Sequence, residues 1–245
     1  MNRVPEVTLY FWIIKIMATT VGETAADFLA FTMNFGLAGT SYIMTAILAI
    51  VLWNQFRLKR YVPVSYWAVV VLVSIVGTLI TDRLVDEMGV SLVTATVTFS
   101  VALLGLFAWW YISENTLAMH SIKTTKRELF YWAAILLTFA LGTAAGDLLA
   151  EGLSLGYAVS ALLFGSAIAL IAIAYYRFGM DAVLTFWLTY VLTRPLGASI
   201  GDLLSQPIKN GGLGFGTVGS TIAFTTTIAI LIVYLSIKQK KLARS

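Results

Sequence analysis

The chain contains no cysteine and only one histidine, His120, among its 245 residues. Without thiols there can be no disulfide framework and no thiolate metal site. A single imidazole is too few for a histidine-based metal centre. The sequence also lacks a Walker loop and the HExxH and GxSxG motifs of common hydrolases. We therefore expect no enzyme active site and no resident cofactor.

Charged residues are scarce as well. They make up 11% of the chain, whereas a typical soluble domain has about a quarter. Hydrophobic residues make up 59%, and the mean hydropathy is +0.88. The charges form short islands between long apolar runs, which predicts an all-α integral membrane protein with the lipid bilayer as its surroundings. The net charge of +4 is attributed to membrane-flanking Lys and Arg, so no nucleic-acid partner is expected.

Eight apolar segments are long enough to be membrane helices. They lie near residues 7–27, 38–56, 65–82, 91–112, 129–149, 156–176, 182–204 and 215–236. Lys15 interrupts the first segment, so we do not expect it to be the apolar part of a cleavable signal peptide. The pattern predicts one transmembrane domain over residues 1–245 with eight spans.

The basic residues predict the orientation of these spans. If the N-terminus lies inside, the inner segments carry twelve basic residues and the outer loops carry two, Arg83 and Lys209. The inner residues are Arg3, Arg57, Lys59, Arg60, Lys123, Lys126, Arg127, Arg177, Lys238, Lys240, Lys241 and Arg244. Because basic residues concentrate on the cytoplasmic side, both termini are predicted to lie inside.

One spaced triad recurs four times along the chain: Trp, then Gly ten residues later, then Asp five residues after that. The copies are Trp12/Gly22/Asp27, Trp67/Gly77/Asp82, Trp132/Gly142/Asp147 and Trp187/Gly197/Asp202. Each copy begins a two-span unit, and the units cover about 7–60, 61–125, 126–180 and 181–240. Because every unit has an even number of spans, we expect four tandem helical hairpins around a pseudo-symmetry axis along the membrane normal.

Position along the helix assigns a role to each member of the triad. The Trp residues suit anchors at the inner interface, and the Asp residues follow about 22 Å further along the helix. Gly and Asp lie on different faces, because they differ by about 140° in azimuth. We therefore expect the Asp residues to face a central cavity, and the Gly residues to allow close contact with a neighbouring helix.

The four Asp residues predict an ion-binding or translocation site. One turn before three of them stand Glu23, Thr78 and Thr143, as a second layer of oxygen donors, and the fourth copy has Ala198 there. Oxygen ligands without Cys or His suit hard divalent cations, so a bound divalent cation is one possibility. Crowded carboxylates cannot all remain ionised alone, so metal cations or protons are the expected partners.

Structural roles for the same residues remain open at this stage. The Asp residues could instead cap the turns that follow them. Arg194, next to Pro195, is expected to pair with a carboxylate, with a gate as the alternative. Lys15 is a second charge partner, or it extends to the inner face. The remaining acids near the motifs are expected to form a solvated outer rim: Asp86, Glu87 and Glu151.

The four two-span units, each with its marked Trp, resemble a bacterial inner-membrane family built from a repeat of unknown function. The resemblance covers the chain from Trp12 through the eighth span. It implies the fold, a multi-pass location in the bacterial inner membrane and a link to divalent-metal export, such as that of manganese. Arg194 and Ala198 make the fourth copy atypical, so strict fourfold equivalence is not expected.

Two functions from different classes fit these observations. The first is a cation transporter, most simply an exporter of a divalent metal such as manganese through the Asp-lined centre. The second is a non-transporting membrane scaffold or sensor, in which Gly packs helices and Asp pins outer turns. A membrane enzyme acting on a lipid with acidic groups alone is a more distant alternative. The sequence leaves the oligomeric state undetermined.

Overall fold

A computed structural model describes residues 2–242, with side chains through residue 237. The described residues form eight α-helices and no strand. The helices are α1 Leu9–Asp27, α2 Gly36–Arg57, α3 Pro63–Asp82, α4 Leu92–Glu114, α5 Thr125–Asp147, α6 Tyr157–Phe178, α7 Ala182–Ser205 and α8 Gly216–Leu242. Of the basic residues used to predict orientation, Lys238, Lys240, Lys241 and Arg244 lie outside the described side chains.

Six helical segments are long and apolar enough to cross a membrane: α2, α3, α4, α5, α6 and α8. The other two helices, α1 and α7, carry charged residues in mid-helix, Lys15 and Glu23 in one and Arg194 in the other. These three side chains are buried inside the protein. The charges that lower the hydropathy of α1 and α7 therefore face other helices and not the surroundings.

The odd-numbered helices form an inner ring, in which α1 packs against α3, α3 against α5, α5 against α7 and α7 against α1. The even-numbered helices surround the ring. Two-thirds of the α3 span is buried (67%), compared with 11% of the α8 span. Large apolar side chains on the outer helices are exposed.

The two helices of a repeat do not pack as a closed hairpin, which corrects the sequence-based picture. Each even helix packs against the odd helix of the next repeat: α2 on α3, α4 on α5, and α6 on α7. The last helix, α8, packs on α1 and so closes the circle. Each repeat therefore packs its even helix against the odd helix of the next repeat, and the ring closes only when all four repeats are present.

Local signals explain where the inner helices begin. Thr8 and Thr124 cap the N-termini of α1 and α5 through their hydroxyl groups, and the Asp181 carboxylate caps α7. Pro63 begins α3, a position where its missing N–H costs nothing. These caps fix where each inner helix starts, three to seven residues before its motif Trp.

A single π-helical turn follows the motif Asp in the first three repeats. These turns are Phe28–Thr32, Arg83–Glu87 and Leu148–Gly152. The fourth repeat has no such turn, and α7 ends at Ser205, shortly before Pro207. Such turns widen the helix locally and occur often at functional sites. Here they mark the end of the ring at which the Asp residues lie, called the aspartate end below; the opposite end is the tryptophan end.

Candidate functional site: a carboxylate-lined cavity and its floor

Each inner helix contributes one residue every four positions to a stripe of five levels along the ring, from the residue before Trp to the motif Asp. The first four levels are buried. From the tryptophan end they are the aromatic layer (Phe11, Tyr66, Tyr131, Phe186), the lysine layer (Lys15, Val70, Ile135, Tyr190), the arginine layer (Thr19, Ser74, Phe139, Arg194) and the threonine layer (Glu23, Thr78, Thr143, Ala198). The fifth level is the aspartate layer.

The four motif Asp residues line a single cavity of about 590 Å³ at the aspartate end. Seven carboxylates line this cavity in all: Glu23, Asp27, Asp82, Asp86, Asp147, Glu151 and Asp202. Among the described residues that line it, none is Lys, Arg or His. The cavity is therefore a strongly acidic chamber to which all four repeats contribute.

The four motif carboxylates have no hydrogen-bond or ion-pair partner among the described residues. Within residues 2–237, none of the four makes a hydrogen bond or an ion pair in the structure. Asp202 is the most enclosed, with 7% of its surface exposed. Asp27, Asp82 and Asp147 precede the π-helical turns, yet their side chains make no capping hydrogen bond to them. A capping role is therefore not what the structure shows.

The carboxylates surround the chamber and do not converge on one point. In the described part of the chain, no group of three or more His, Cys, Asp or Glu side chains is close enough to hold a metal ion. The chamber is large enough for an ion with its water shell, since six waters occupy roughly 180 Å³ at about 30 Å³ each. The chamber therefore has room for a hydrated cation.

The floor of the cavity is an ion pair between α7 and α1. Arg194 is fully buried, and its Nη2 lies 2.8 Å from Oε2 of Glu23. The same nitrogen donates to Oγ1 of Thr143 at 2.7 Å and contacts Oγ1 of Thr78. A second guanidinium nitrogen, Nη1, donates to the carbonyl of Thr19 at 3.4 Å. One side chain of the fourth repeat therefore binds the other three repeats together.

This network changes the role predicted for the second layer of oxygen donors. Glu23, Thr78 and Thr143 were expected to support an ion in the cavity, but all three contact the guanidinium of Arg194. Only Glu23 also lines the cavity. The fourth member of the layer, Ala198, is small and leaves room for the guanidinium. The threonine layer is therefore a site that the protein fills with its own cation.

Lys15 corrects another expectation. Its side chain is fully buried, so it does not extend to the inner face, and it forms no ion pair in the described residues. Its Nζ lies 4.3 Å from the ring centroid of Phe139 and 4.2 Å from that of Tyr190. Aromatic faces thus surround the amine where a carboxylate was expected.

The tryptophan end of the ring is closed by aromatic and polar contacts. The hydroxyl groups of Tyr66 and Tyr131 are hydrogen-bonded between the adjacent helices α3 and α5. Below them the buried Glu128 accepts from Arg3 at 2.6 Å and from Gln55 at 3.1 Å. Arg3 belongs to the N-terminal segment, residues 2–8, which therefore covers this end. The cavity at the aspartate end does not extend through the ring.

The motif glycines are the points of closest approach between inner helices. A Cβ on Gly22 would lie 1.8 Å from Oγ of Ser74, and one on Gly197 would lie 1.8 Å from Oγ1 of Thr19. The same relation joins Gly77 to Phe139 and Gly142 to Arg194. Each glycine thus meets the arginine-layer residue of the next repeat, with the fourth meeting the first. The glycines let the helices approach closely enough for the layers to form.

The motif tryptophans are packed within the protein and do not behave as simple interfacial anchors. Trp67, Trp132 and Trp187 are buried, and only Trp12 is partly exposed. The indole N–H of Trp187 donates to the carbonyl of Leu117 at 2.9 Å, and that of Trp132 to Glu128 at 3.5 Å. The polar edges of Trp132 and Trp187 are therefore satisfied inside the fold.

Three features of the site were not predicted from the Trp/Gly/Asp motif. Asp86 and Glu151, expected on a solvated rim, line the cavity itself, whereas Glu87 pairs with Arg83. The central position of Arg194 and the Tyr66–Tyr131 contact were not predicted. The four-residue spacing identifies these positions, since it reaches Arg194 and Tyr66 before the motif Asp of their helices, and Asp86 and Glu151 after it.

The comparisons with known proteins agree with the fourfold organisation. The model of the Repeat of Unknown Function (DUF347) matches residues 10–61, 65–116, 130–181 and 185–241. Comparison with curated proteins and with solved structures gives no match. Because the four matches cover most of the chain and coincide with the four Trp/Gly/Asp copies, the chain belongs to the DUF347 repeat family.

Proposed function

We propose that this protein is a multi-pass membrane transporter of a cation, and that the carboxylate-lined cavity is where the cation enters or leaves. One observation carries the proposal: four equivalent Asp residues, one from each repeat, line one chamber without protein partners. Carboxylates within membrane-spanning segments are costly, and they commonly mark ion pathways. Seven of them in one chamber draw cations from solution and raise their local concentration.

The membrane placement follows from the arrangement of the helices. Six segments have the length and apolarity of membrane spans, and α1 and α7 lie in the inner ring, where their charged residues are covered. In the proposed topology all eight helices cross the bilayer, with the termini inside and the aspartate end outside. The membrane is the cell inner membrane in this proposal.

A divalent metal such as manganese is the cargo we propose. Small divalent cations release their water reluctantly and are bound through one or two carboxylates with the remaining sites occupied by water. A chamber of about 590 Å³ with carboxylates on all sides provides for this kind of binding. Protons that leave the carboxylates as the metal enters would supply an exchanging ion.

Flux measurements on purified protein in liposomes test this proposal. Mn²⁺ entry is followed with a metal-quenched dye inside the vesicles, for wild type and for D27N, D82N, D147N and D202N. D181N is the matched control, because Asp181 caps α7 away from the cavity and Asn preserves the cap. We expect Mn²⁺ flux with wild type and D181N, and a loss of about tenfold or more in D202N.

The cellular metal content gives the complementary measurement. A strain that lacks the protein should accumulate the cargo metal, and wild type but not the cavity variants should restore its content. If folded wild-type protein moves no cation and every Asp-to-Asn variant behaves like wild type, transport is wrong. The scaffold or sensor role would then account for the repeat.

A further inference from the structure

We propose that Arg194 is the gate of the transport path, a tethered cation that occupies the position a cargo cation must take to pass from the cavity into the ring. This inference rests on the proposed transport function and adds the residue that controls passage. It is carried by contacts of Arg194 that have no counterpart in the other three repeats.

The guanidinium fills a cation site built by three different helices. Its Nη2 lies 2.8 Å from the Glu23 carboxylate and 2.7 Å from the Thr143 hydroxyl, and it also contacts Thr78. A carboxylate and two hydroxyl groups are donors that would equally serve a hard cation. Glu23 also lines the cavity, so the guanidinium is bound directly beneath the chamber.

The repeat pattern shows how this arrangement arises. At the level of Arg194 the other repeats have Thr19, Ser74 and Phe139, none of which is charged. One turn later, where they have Glu23, Thr78 and Thr143, the fourth repeat has Ala198. The fourth repeat thus has no oxygen donor in the threonine layer. Instead, the guanidinium of Arg194 enters this layer from the neighbouring arginine layer and binds the oxygen donors of the other three repeats.

A cargo ion and the guanidinium of Arg194 cannot occupy the same position beside Glu23. The guanidinium already contacts the Glu23 carboxylate and the Thr78 and Thr143 hydroxyl groups, and Glu23 is the only carboxylate in the threonine layer. Passage through this layer therefore requires the guanidinium to move aside as the cargo arrives.

The backbone beside Arg194 is suited to such movement. Pro195 follows it within α7 and has no N–H to give to the carbonyl of Val191. Prolines inside helices are frequent points of bending.

Passive flux through purified protein in liposomes tests the gate. Mn²⁺ leak is measured for wild type, R194A and R83A, the last a control that removes a basic residue paired with Glu87 at the outer rim. We expect R194A to leak at least about tenfold faster than wild type and R83A to match wild type. Millimolar guanidinium chloride should reduce the R194A leak towards the wild-type rate by refilling the vacated site, and should leave R83A unchanged.

R194A leaves Glu23 buried without its partner and could prevent folding. A second variant that removes both charges therefore tests the gate independently. R194M/E23Q removes both charges together and avoids an unpaired buried ion. It should also leak, but without a response to guanidinium, since its carboxylate is gone. Folded R194A and R194M/E23Q proteins with wild-type leak rates would overturn the gate.

The outcomes separate the two proposals. If wild type transports Mn²⁺ and the Arg194 variants leak no more than it does, transport stands and the gate is wrong. A leak in R194A that guanidinium does not reduce also contradicts a filled cation site. If neither wild type nor the variants pass any cation, both proposals fail.

Discussion

Gly142 and Arg194 lie against each other where α5 and α7 cross. A Cβ added to Gly142 would come within 2.3 Å of Cγ and 2.5 Å of Cβ of Arg194. The motif glycine therefore makes room for the stem of the arginine, and the guanidinium reaches Glu23 on the neighbouring helix α1. Helix packing and the charge network beneath the cavity depend on the same contact.

Substituting Ala for Gly142 should destabilise the protein by about 1–3 kcal/mol, the usual cost of overpacking. The added methyl group collides with Arg194 and with Cδ of Pro195, at 2.9 Å. Thermal unfolding in detergent measures the effect. Gly105→Ala in α4 is the control, because nothing lies within 4 Å of its Cβ position. The control should be unchanged or gain up to about 1 kcal/mol from helix propensity. An equal response of the two variants would contradict this packing role.

The Arg194–Glu23 pair should behave as a strongly coupled pair. Glu23→Gln leaves a buried guanidinium without its counter-charge, and we expect a loss of roughly 3–5 kcal/mol in the free energy of unfolding. Adding Arg194→Met to Glu23→Gln should recover much of that loss. A double-mutant cycle of unfolding free energies measures the coupling. Simple additivity of the two single changes would show that the ion pair is not formed.

Lys15→Met should leave stability unchanged or raise it. The amine of Lys15 is buried, has no hydrogen-bond partner in the described structure and lies near the guanidinium-bearing helix. Methionine has a similar length and keeps the contacts with Phe139 and Tyr190 without the polar group. Thermal unfolding is the measurement. A loss of more than about 2 kcal/mol would mean that the amine has a partner whose removal is costly.

The N-terminal segment should open when its ion pair is removed. The chain has no cysteine, so Val4→Cys places a single thiol at a position that is 2% exposed. Arg3→Ala removes the contact with Glu128, worth about 1.5–3 kcal/mol for a charged hydrogen bond. Thiol labelling should then be roughly 10- to 100-fold faster. Lys59→Ala, at an exposed residue of the α2–α3 connection, is the control that should leave labelling unchanged.

The proposed orientation can be tested with the same cysteine-free background. Asn210→Cys lies in the α7–α8 connection and Lys123→Cys lies before α5, and both side chains are exposed. A maleimide that cannot cross membranes should label Asn210→Cys in intact cells and Lys123→Cys only after lysis. Labelling of both in intact cells, or the reverse pattern, would contradict the termini-inside topology.

The sequence was sufficient for those features that depend on composition and spacing. Low charge and long apolar runs predicted helices, and the Trp/Gly/Asp triad predicted four repeats, which the family match and the structure confirm. The predicted segment at 65–82 corresponds to α3, Pro63–Asp82. This helix begins at a proline and ends at the motif Asp. Local signals of this kind are read directly from neighbouring residues.

Partners distant in sequence were harder to predict. Lys15 was expected to pair with a carboxylate or extend to the inner face, but its amine lies between aromatic rings from α5 and α7. Those rings belong to Phe139 and Tyr190, which lie 124 and 175 residues away in sequence. The periodicity of α1 does not identify partners on other helices.

Composition and spacing alone thus determined that the chain is helical, that it is built from four repeats, and that each repeat places an Asp fifteen residues after a Trp. Only the tertiary structure decided that each even helix packs on the next repeat, that the Asp residues share one chamber, and that Arg194 closes its floor. The physical reason is that spacing fixes the face on which a residue lies, whereas the packing of four helices around a ring decides which faces meet.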